Sequence, residues 1–318
     1  MKRLRVLRAA CGVLGAVLGA GLGAGFAVPG AGYRACPAEA GAAREGWGRG
    51  AESQATADGI EITAKARAMQ PGELVVLSIA LPQHAERVTV RAFDRDALAF
   101  ADGDRQWRAL VGIDLDVKPG TYPVTVGAGG LQARYDLVVT PHKFPTRRLT
   151  VDDAFVTPPP QEEARIAREA QLLADTWTRP AAEKLWGDHF ARPVPGVANS
   201  AFGSRSIFNG KARTPHGGAD FMSPSGTPIH APNAGRVVVA RNLYYSGNTV
   251  VIDHGLGLFS TLAHMSAIDV HEGDRVTADQ IVGRVGATGR VTGAHLHWAI
   301  RAAGARVDPL AVLALLGN

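Results

Sequence analysis

Glycine interrupts the last third of this chain so often that no long helix can form there. It falls at Gly226, Gly235, Gly247, Gly255, Gly257, Gly273, Gly286, Gly289 and Gly293, among other positions. Each glycine costs a helix interior about 1 kcal/mol relative to alanine. The segments left between them are short and β-branched: Arg236-Val237-Val238-Val239-Ala240, Thr249-Val250-Val251-Ile252, Gln280 to Val285 and Leu296 to Ile300. Such runs between turn residues predict a mostly antiparallel β-domain, helix-free until Leu310 to Leu316.

The same reasoning covers the first half. Between Gly59 and Thr140, Ile60-Glu61-Ile62-Thr63 and Val88-Thr89-Val90-Arg91 alternate, Val75-Val76-Leu77 is an apolar run, and Pro71-Gly72 and Pro119-Gly120 mark turns. About seven strands over these roughly 80 residues predict a small β-sandwich of immunoglobulin type. Its one histidine, His84, has no companions, so the domain is expected to be a structural or binding module. Thr157-Pro158-Pro159-Pro160 then breaks the chain. Ile166, Ala170, Leu173 and Trp177 recur at helical spacing with Glu162 and Glu163 in the first turn, predicting one amphipathic helix over 161–178. The expected organisation is a flexible tether over 28–58, a β-sandwich over 59–140, a helical linker over 141–196 and a C-terminal β-domain over 197–318. That last domain is expected to hold its own core from about Phe202.

The start has a different character. Lys2, Arg3, Arg5 and Arg8 precede an uncharged, Ala/Gly-rich run from Ala9 to Val28, the charge layout of a secretory signal, with cleavage expected after about Ala27. Export to the periplasm or cell envelope follows, with an inner-membrane anchor if the signal is not cleaved. Losing those four basic residues takes the formal charge from +5 to +1. The basic balance therefore belongs to the leader and argues for no nucleic-acid partner. Cys11 lies in the leader and Cys36 would be alone, which excludes an internal disulfide.

Seven of the ten histidines fall between His216 and His297, and two spacings among them carry chemistry. His216-Gly217-Gly218-Ala219-Asp220 sets a histidine and a carboxylate four apart, which share a face in an extended segment. In His295-Leu296-His297-Trp298, both imidazoles point one way while Leu296 and Trp298 point into a core. Two imidazoles and one carboxylate form a ligand set used by catalytic zinc, with a fourth position left for water. His216, Asp220 and one of His295 and His297 complete such a set. No thiolate is nearby to close a structural site, and there is no H-E-x-x-H helix. Glu272 is the only glutamate between His216 and His297 and sits in a Gly-Asp turn, so a histidine is the better candidate base. His230, His254 and His271 are expected to be structural. Arg205 and Asn209 are candidate groove-wall contacts.

The order H-G-G-A-D, A-H-M, H-L-H-W resembles the motifs of lysostaphin-type, or LytM-domain, zinc endopeptidases, over roughly 202–309. Asn248-Thr249-Val250-Val251-Ile252-Asp253-His254-Gly255 and Gly273-Asp274-Arg275-Val276 agree with it. The resemblance implies a C-terminal domain of LytM (duplicated hybrid motif) type behind an immunoglobulin-like domain. It implies one zinc ion per chain held by His216, Asp220 and His297, with His264 and His295 as catalytic residues. It further implies peptide stems or cross-links of peptidoglycan as substrate, and makes the N-terminal β-domain a candidate surface for a regulatory partner. Thr261-Leu262-Ala263 before His264 departs from relatives that place a tyrosine near that point. Two rivals remain: a lipoyl-type carrier, which lacks the lysine its hairpin tip needs, and a non-catalytic scaffold of the same fold, which would lose metal ligands.

Overall fold

The structure is a computed structural model, and it describes residues 50–150, 157–187, 189–198 and 202–317. The expected leader with its cleavage site, Cys11, Cys36 and most of the expected tether lie outside the described residues. No helix among the described residues is long and apolar enough to cross a membrane.

Eight strands make the N-terminal domain: β1 (Ala51–Ala57), β2 (Ile60–Ala66), β3 (Leu74–Ala80), β4 (Val88–Ala92), β5 (Arg95–Ala101), β6 (Gln106–Gly112), β7 (Gly120–Ala128) and β8 (Leu131–Val139). Alternation sets their faces. In β2, Ile60, Ile62, Ala64 and Ala66 are buried while Glu61 and Lys65 are exposed. The hydrogen-bonded order is β1-β2-β3-β6-β5-β4-β7-β8. Without β1, β2-β3-β6-β5 and β4-β7-β8 reproduce the four-plus-three strand order of a constant-type immunoglobulin sandwich. The expected sandwich is therefore present, with one strand more than its sequence pattern indicated. β1 falls inside the stretch 28–58 assigned to the tether. It pairs along its whole length with β2 across Asp58-Gly59, both with positive φ, as a two-residue hairpin turn requires. Its low apolar content hid it, because an edge strand buries little.

β9 (Thr146–Leu149) leads toward a 3-10 turn at Pro160–Glu162 and helix α1 (Glu163–Trp177). The helix begins and ends within two residues of its expected limits. Leu173 and Trp177 pack on Val239, Val251 and Phe259, and Ala170 faces solvent. The following residues differ from the expected linker. Trp186, Phe190 and Val194 are buried in the same core as Phe221, Leu262 and Trp298, and Leu185 N–H donates to His254 O. The C-terminal domain thus takes in much of 141–196 and does not begin at 197, nor is its core complete from Phe202. A fragment starting at residue 202 is expected to lack a cooperative thermal transition by circular dichroism, whereas one starting near residue 158 keeps it. Each large apolar side chain lost is worth about 3–5 kcal/mol. Matching transitions in the two fragments would contradict this.

The C-terminal domain contains β10 (Arg205–Phe208), β11 (Lys211–Ala212), β12 (Gly218–Phe221), β13 (Pro228–His230), β14 (Gly235–Leu243), β15 (Gly247–Gly255), β16 (Leu258–Ile268), β17 (Arg275–Val276), β18 (Ile281–Val285), β19 (Leu296–Ala302), β20 (Ala305–Val307) and α2 (Pro309–Leu316). The main sheet runs β12-β19-β16-β15-β14-β17, and β10 bridges β11 and the incoming β9 in a small separate sheet. At the joint between the two domains, Arg67 pairs with Glu73 at 2.7 Å and Asp308 at 2.6 Å, and Arg306 pairs with Asp114 at 2.5 Å.

His254 is fully buried in β15. Its Nδ1–H donates to Ala234 O and its Nε2 accepts from the Ser260 hydroxyl, both at 2.8 Å, while Trp298 Nε1–H donates to the same hydroxyl oxygen at 3.2 Å. This chain needs a neutral ring, and burial pushes the His254 pKa down to about 4 against the opposing Ala234 hydrogen bond. The unfolded ring titrates near 6.5, so the stability due to this group is complete above that pH and is lost as pH falls toward 4. The loss is expected to reach about 3 kcal/mol. Urea unfolding of the metal-free protein across that pH range checks it; an unchanged midpoint would contradict it.

Candidate metal centre

Strand register builds the centre. In the β12–β19 pair, Asp220 lies directly opposite His297. On the other side of β19, Ala263 of β16 lies opposite His297, which brings the next residue, His264, alongside. His216 enters from the segment just before β12. Gly218 has a packing reason: a Cβ there would sit 2.4 Å from Trp298 O and 2.7 Å from the His297 ring.

One oxygen of Asp220 faces two imidazoles. Oδ1 is 3.1 Å from His216 Nε2 and 2.9 Å from His297 Nδ1, and the His216 and His297 rings meet edge to face at 4.7 Å. The three donor atoms lie within 4.8 Å of one another. Bonds of 2.0–2.1 Å in a tetrahedral zinc site imply donor separations of about 3.3 Å, so this set fits a metal ion with only small adjustments. His216 Nδ1 is buried without a hydrogen-bond partner among the described residues. Burial alone would raise the Asp220 pKa, but hydrogen bonds from His216 and His297 hold the carboxyl far below the usual range. It therefore stays ionised. Burial lowers the His297 pKa, which favours the neutral, ligating ring.

His264 and His295 flank the set without joining it. His295 Nε2 is 3.9 Å from Asp220 Oδ1, and the His264 and His295 rings are 4.9 Å apart. The spacing pattern left both His295 and His297 eligible as the third donor, and the register places His297 directly across from Asp220. His264 occupies a bulge of β16 at φ +65°, a backbone state costly for a non-glycine residue and suited to re-aiming a side chain. Its N–H donates to Ser246 O at 2.8 Å and its Nδ1–H to Thr288 O at 3.0 Å. His295 Nδ1–H donates likewise to Gly293 O at 2.9 Å. Both rings are thereby held through Nδ1, with Nε2 left as the other ring nitrogen. Burial, then the neighbouring His297, push the His264 pKa down to about 4 despite the Thr288 bond.

These groups line a cleft of about 570 Å³ whose walls include Arg147, Ser206, Phe208, Tyr245 and Arg290. Of the two expected wall residues, neither Arg205 nor Asn209 lines it; alternation along β10 turns Ser206 and Phe208 inward instead. His230, His271 and Glu272 also lie away from it, with Glu272 clamping Arg241 at 2.6 Å. Arg147, Tyr245 and Arg290 were not found from sequence, because they come from separate loops and strands with no spacing in common.

A donor set of two imidazoles and a carboxylate, open on the cleft side and flanked by two further imidazoles, defines a metal-assisted hydrolase type of centre rather than a closed structural site. The chain belongs to peptidase family M23. The model of that family matches residues 214–309. A crystal structure from Pseudomonas aeruginosa, provisionally assigned to peptidase M23, superimposes with a TM-score of 0.62 at 31% identity, covering 77% of this chain and 94% of that one. Among curated relatives, the peptidoglycan DD-endopeptidase ShyA of Vibrio cholerae is 43% identical over 100 residues, 31% of this chain and 23% of its own length. The DD-carboxypeptidase/endopeptidase Mpg of Neisseria meningitidis is 39% identical over 97 residues, 30% of this chain and 22% of its own length. The chain therefore spans less than a quarter of the length of these curated relatives.

Proposed function

We propose that this chain is an exported zinc endopeptidase, with one ion per chain, that hydrolyses peptide cross-links of bacterial peptidoglycan. The observation that carries the reading is the convergence of His216 Nε2, Asp220 Oδ1 and His297 Nδ1 beside two further imidazoles held through Nδ1. His216, Asp220 and His297 would hold the metal, and the all-imidazole and carboxylate donor set suits zinc. When bound, the ion supplies Lewis acidity toward the substrate carbonyl.

The remaining work falls to the protein. His264 is neutral at physiological pH because its pKa is pushed down to about 4. It can take a proton at Nε2 from the attacking water and return it to the departing amine. His295, held by Gly293 O, presents a second Nε2 toward the same cleft. A donor there, once protonated, steadies the charge developing on the tetrahedral carbon's oxygen. The likeness to ShyA and Mpg supports peptidoglycan as substrate, and the leader-like start supports export to where that polymer lies.

The non-catalytic scaffold is disfavoured by a complete donor set and by two imidazoles oriented through backbone hydrogen bonds. Metal analysis of the purified chain tests the reading. One zinc per chain, with hydrolysis lost to a chelator and restored by zinc, is expected. A folded chain that takes up no metal would overturn it.

A further inference from the structure

We propose that Glu169 of α1 is a positioning residue for this reaction, holding the turn that carries Tyr245 into the cleft and fixes His264. The inference rests on the peptidase reading. It concerns a helix outside residues 214–309, the stretch matched by the family model.

Contacts run without a break from the helix to the cleft. The turn Tyr244–Ser246 closes the β14–β15 hairpin, in which Leu243 pairs with Gly247. Tyr244 N–H donates to Glu169 Oε2 at 2.7 Å, a side-chain acceptor for a turn amide that the hairpin ladder does not serve. The other carboxylate oxygen accepts from Arg165 Nε at 2.6 Å, and Arg165 Nη2 donates to Asn242 Oδ1 at 2.9 Å. The Arg165 guanidinium lies 5.9 Å from the centre of the Tyr244 ring. Tyr244 meets Tyr245 edge to face at 4.9 Å, and Arg290 lies over both rings at 5.8 and 5.9 Å.

Beyond the turn, two backbone bonds reach His264 and the cleft wall. Ser246 O accepts the His264 N–H, and Tyr245 O accepts the Arg290 N–H at 3.0 Å. Thr288, two residues before Arg290, carries the carbonyl that fixes the His264 tautomer and a hydroxyl that accepts from Asn248 N–H at 2.9 Å. His264 sits at a strained positive φ, which persists only where its surroundings over-determine it. α1 supplies part of that determination. The helix is itself fixed from the opposite end, where Trp177 packs on Phe259 at 5.2 Å. Loss of the Glu169 contact should therefore loosen the turn without unseating the helix.

The test is steady-state kinetics on a soluble cross-linked peptide with the zinc-loaded full chain. Glu169→Ala is expected to lower kcat about tenfold or more, since a misplacement near 1 Å can cost 10²-fold, and to raise KM several-fold as Tyr245 loses its place. Zinc content and Tm should stay at wild-type values. Glu169→Gln, which keeps a carbonyl oxygen for the Tyr244 N–H, should recover most of kcat. In a Tyr245→Ala background, Glu169→Ala should no longer move KM yet should still lower kcat through His264. Wild-type kinetics in Glu169→Ala, losses that track zinc content or Tm, or equal losses in Glu169→Ala and Glu169→Gln would each overturn the inference. An inactive zinc-loaded wild type would instead overturn the peptidase reading, so the two failures are distinct.

Discussion

Replacing Asp220 by alanine is expected to abolish both metal retention and hydrolysis while leaving the β-fold in place. Asp220 is the only carboxylate of the donor set, and its Oδ1 is the atom on which His216 and His297 converge. Removing it leaves two imidazoles without the anion that orients them. The cost should exceed the about 10–100-fold in affinity that follows loss of an outer partner of a metal ligand. Stability should suffer less, because Asp220 lies at the cleft and not among the apolar side chains of β12, Ala219 and Phe221. Metal analysis, turnover and far-UV circular dichroism on the variant decide the matter. Full activity would remove Asp220 from the assignment.

A second large effect separates neighbours on one strand face. His297→Ala should lose the metal, and turnover with it. His264→Ala and His295→Ala should keep the metal and lose about 10²–10⁴-fold in kcat, the usual contribution of a positioned acid or base. The distances carry the distinction: His297 Nδ1 lies 2.9 Å from Asp220 Oδ1, and His295 Nε2 lies 3.9 Å from it. The pH profile should follow as well. His264, with its pKa pushed down to about 4, remains a competent base well below the range of an ordinary histidine, so activity should persist to mildly acidic pH. It should then fall as that ring and the ligands protonate. A metal-free His295→Ala beside a metal-bound His297→Ala would show the two roles reversed.

The donor set was legible because a strand converts spacing into facing. H-x-H on alternating residues has to put both imidazoles opposite Leu296 and Trp298, and the structure buries those two apolar side chains completely. Choosing between His295 and His297 needed the β12–β19 register, which no local pattern encodes. The immunoglobulin-like strand order was legible for the same reason of period-two alternation, apart from β1, whose exposed edge position leaves little apolar signal. Residues 181–196 were misjudged as linker because Trp186, Phe190 and Val194 sit in irregular backbone, where burial has no period to reveal it. The cleft wall of Arg147, Tyr245 and Arg290 is assembled by tertiary packing alone. The helix α1 was visible as an amphipathic stripe, but its polar contacts to the Tyr244 turn depend on which strand tip it meets.

The central claim is metal-dependent cleavage of peptide bonds in the cell wall, and digestion of purified peptidoglycan tests it most directly. Zinc-loaded protein, chelated protein and the Asp220→Ala variant would be incubated with the polymer and the soluble products weighed by mass spectrometry. The zinc-loaded protein alone is expected to convert cross-linked dimers into pairs of fragments whose masses together exceed the dimer by one water, with new amino and carboxyl ends on peptide stems. Cleavage between sugars, or equal release by all three samples, would contradict the claim.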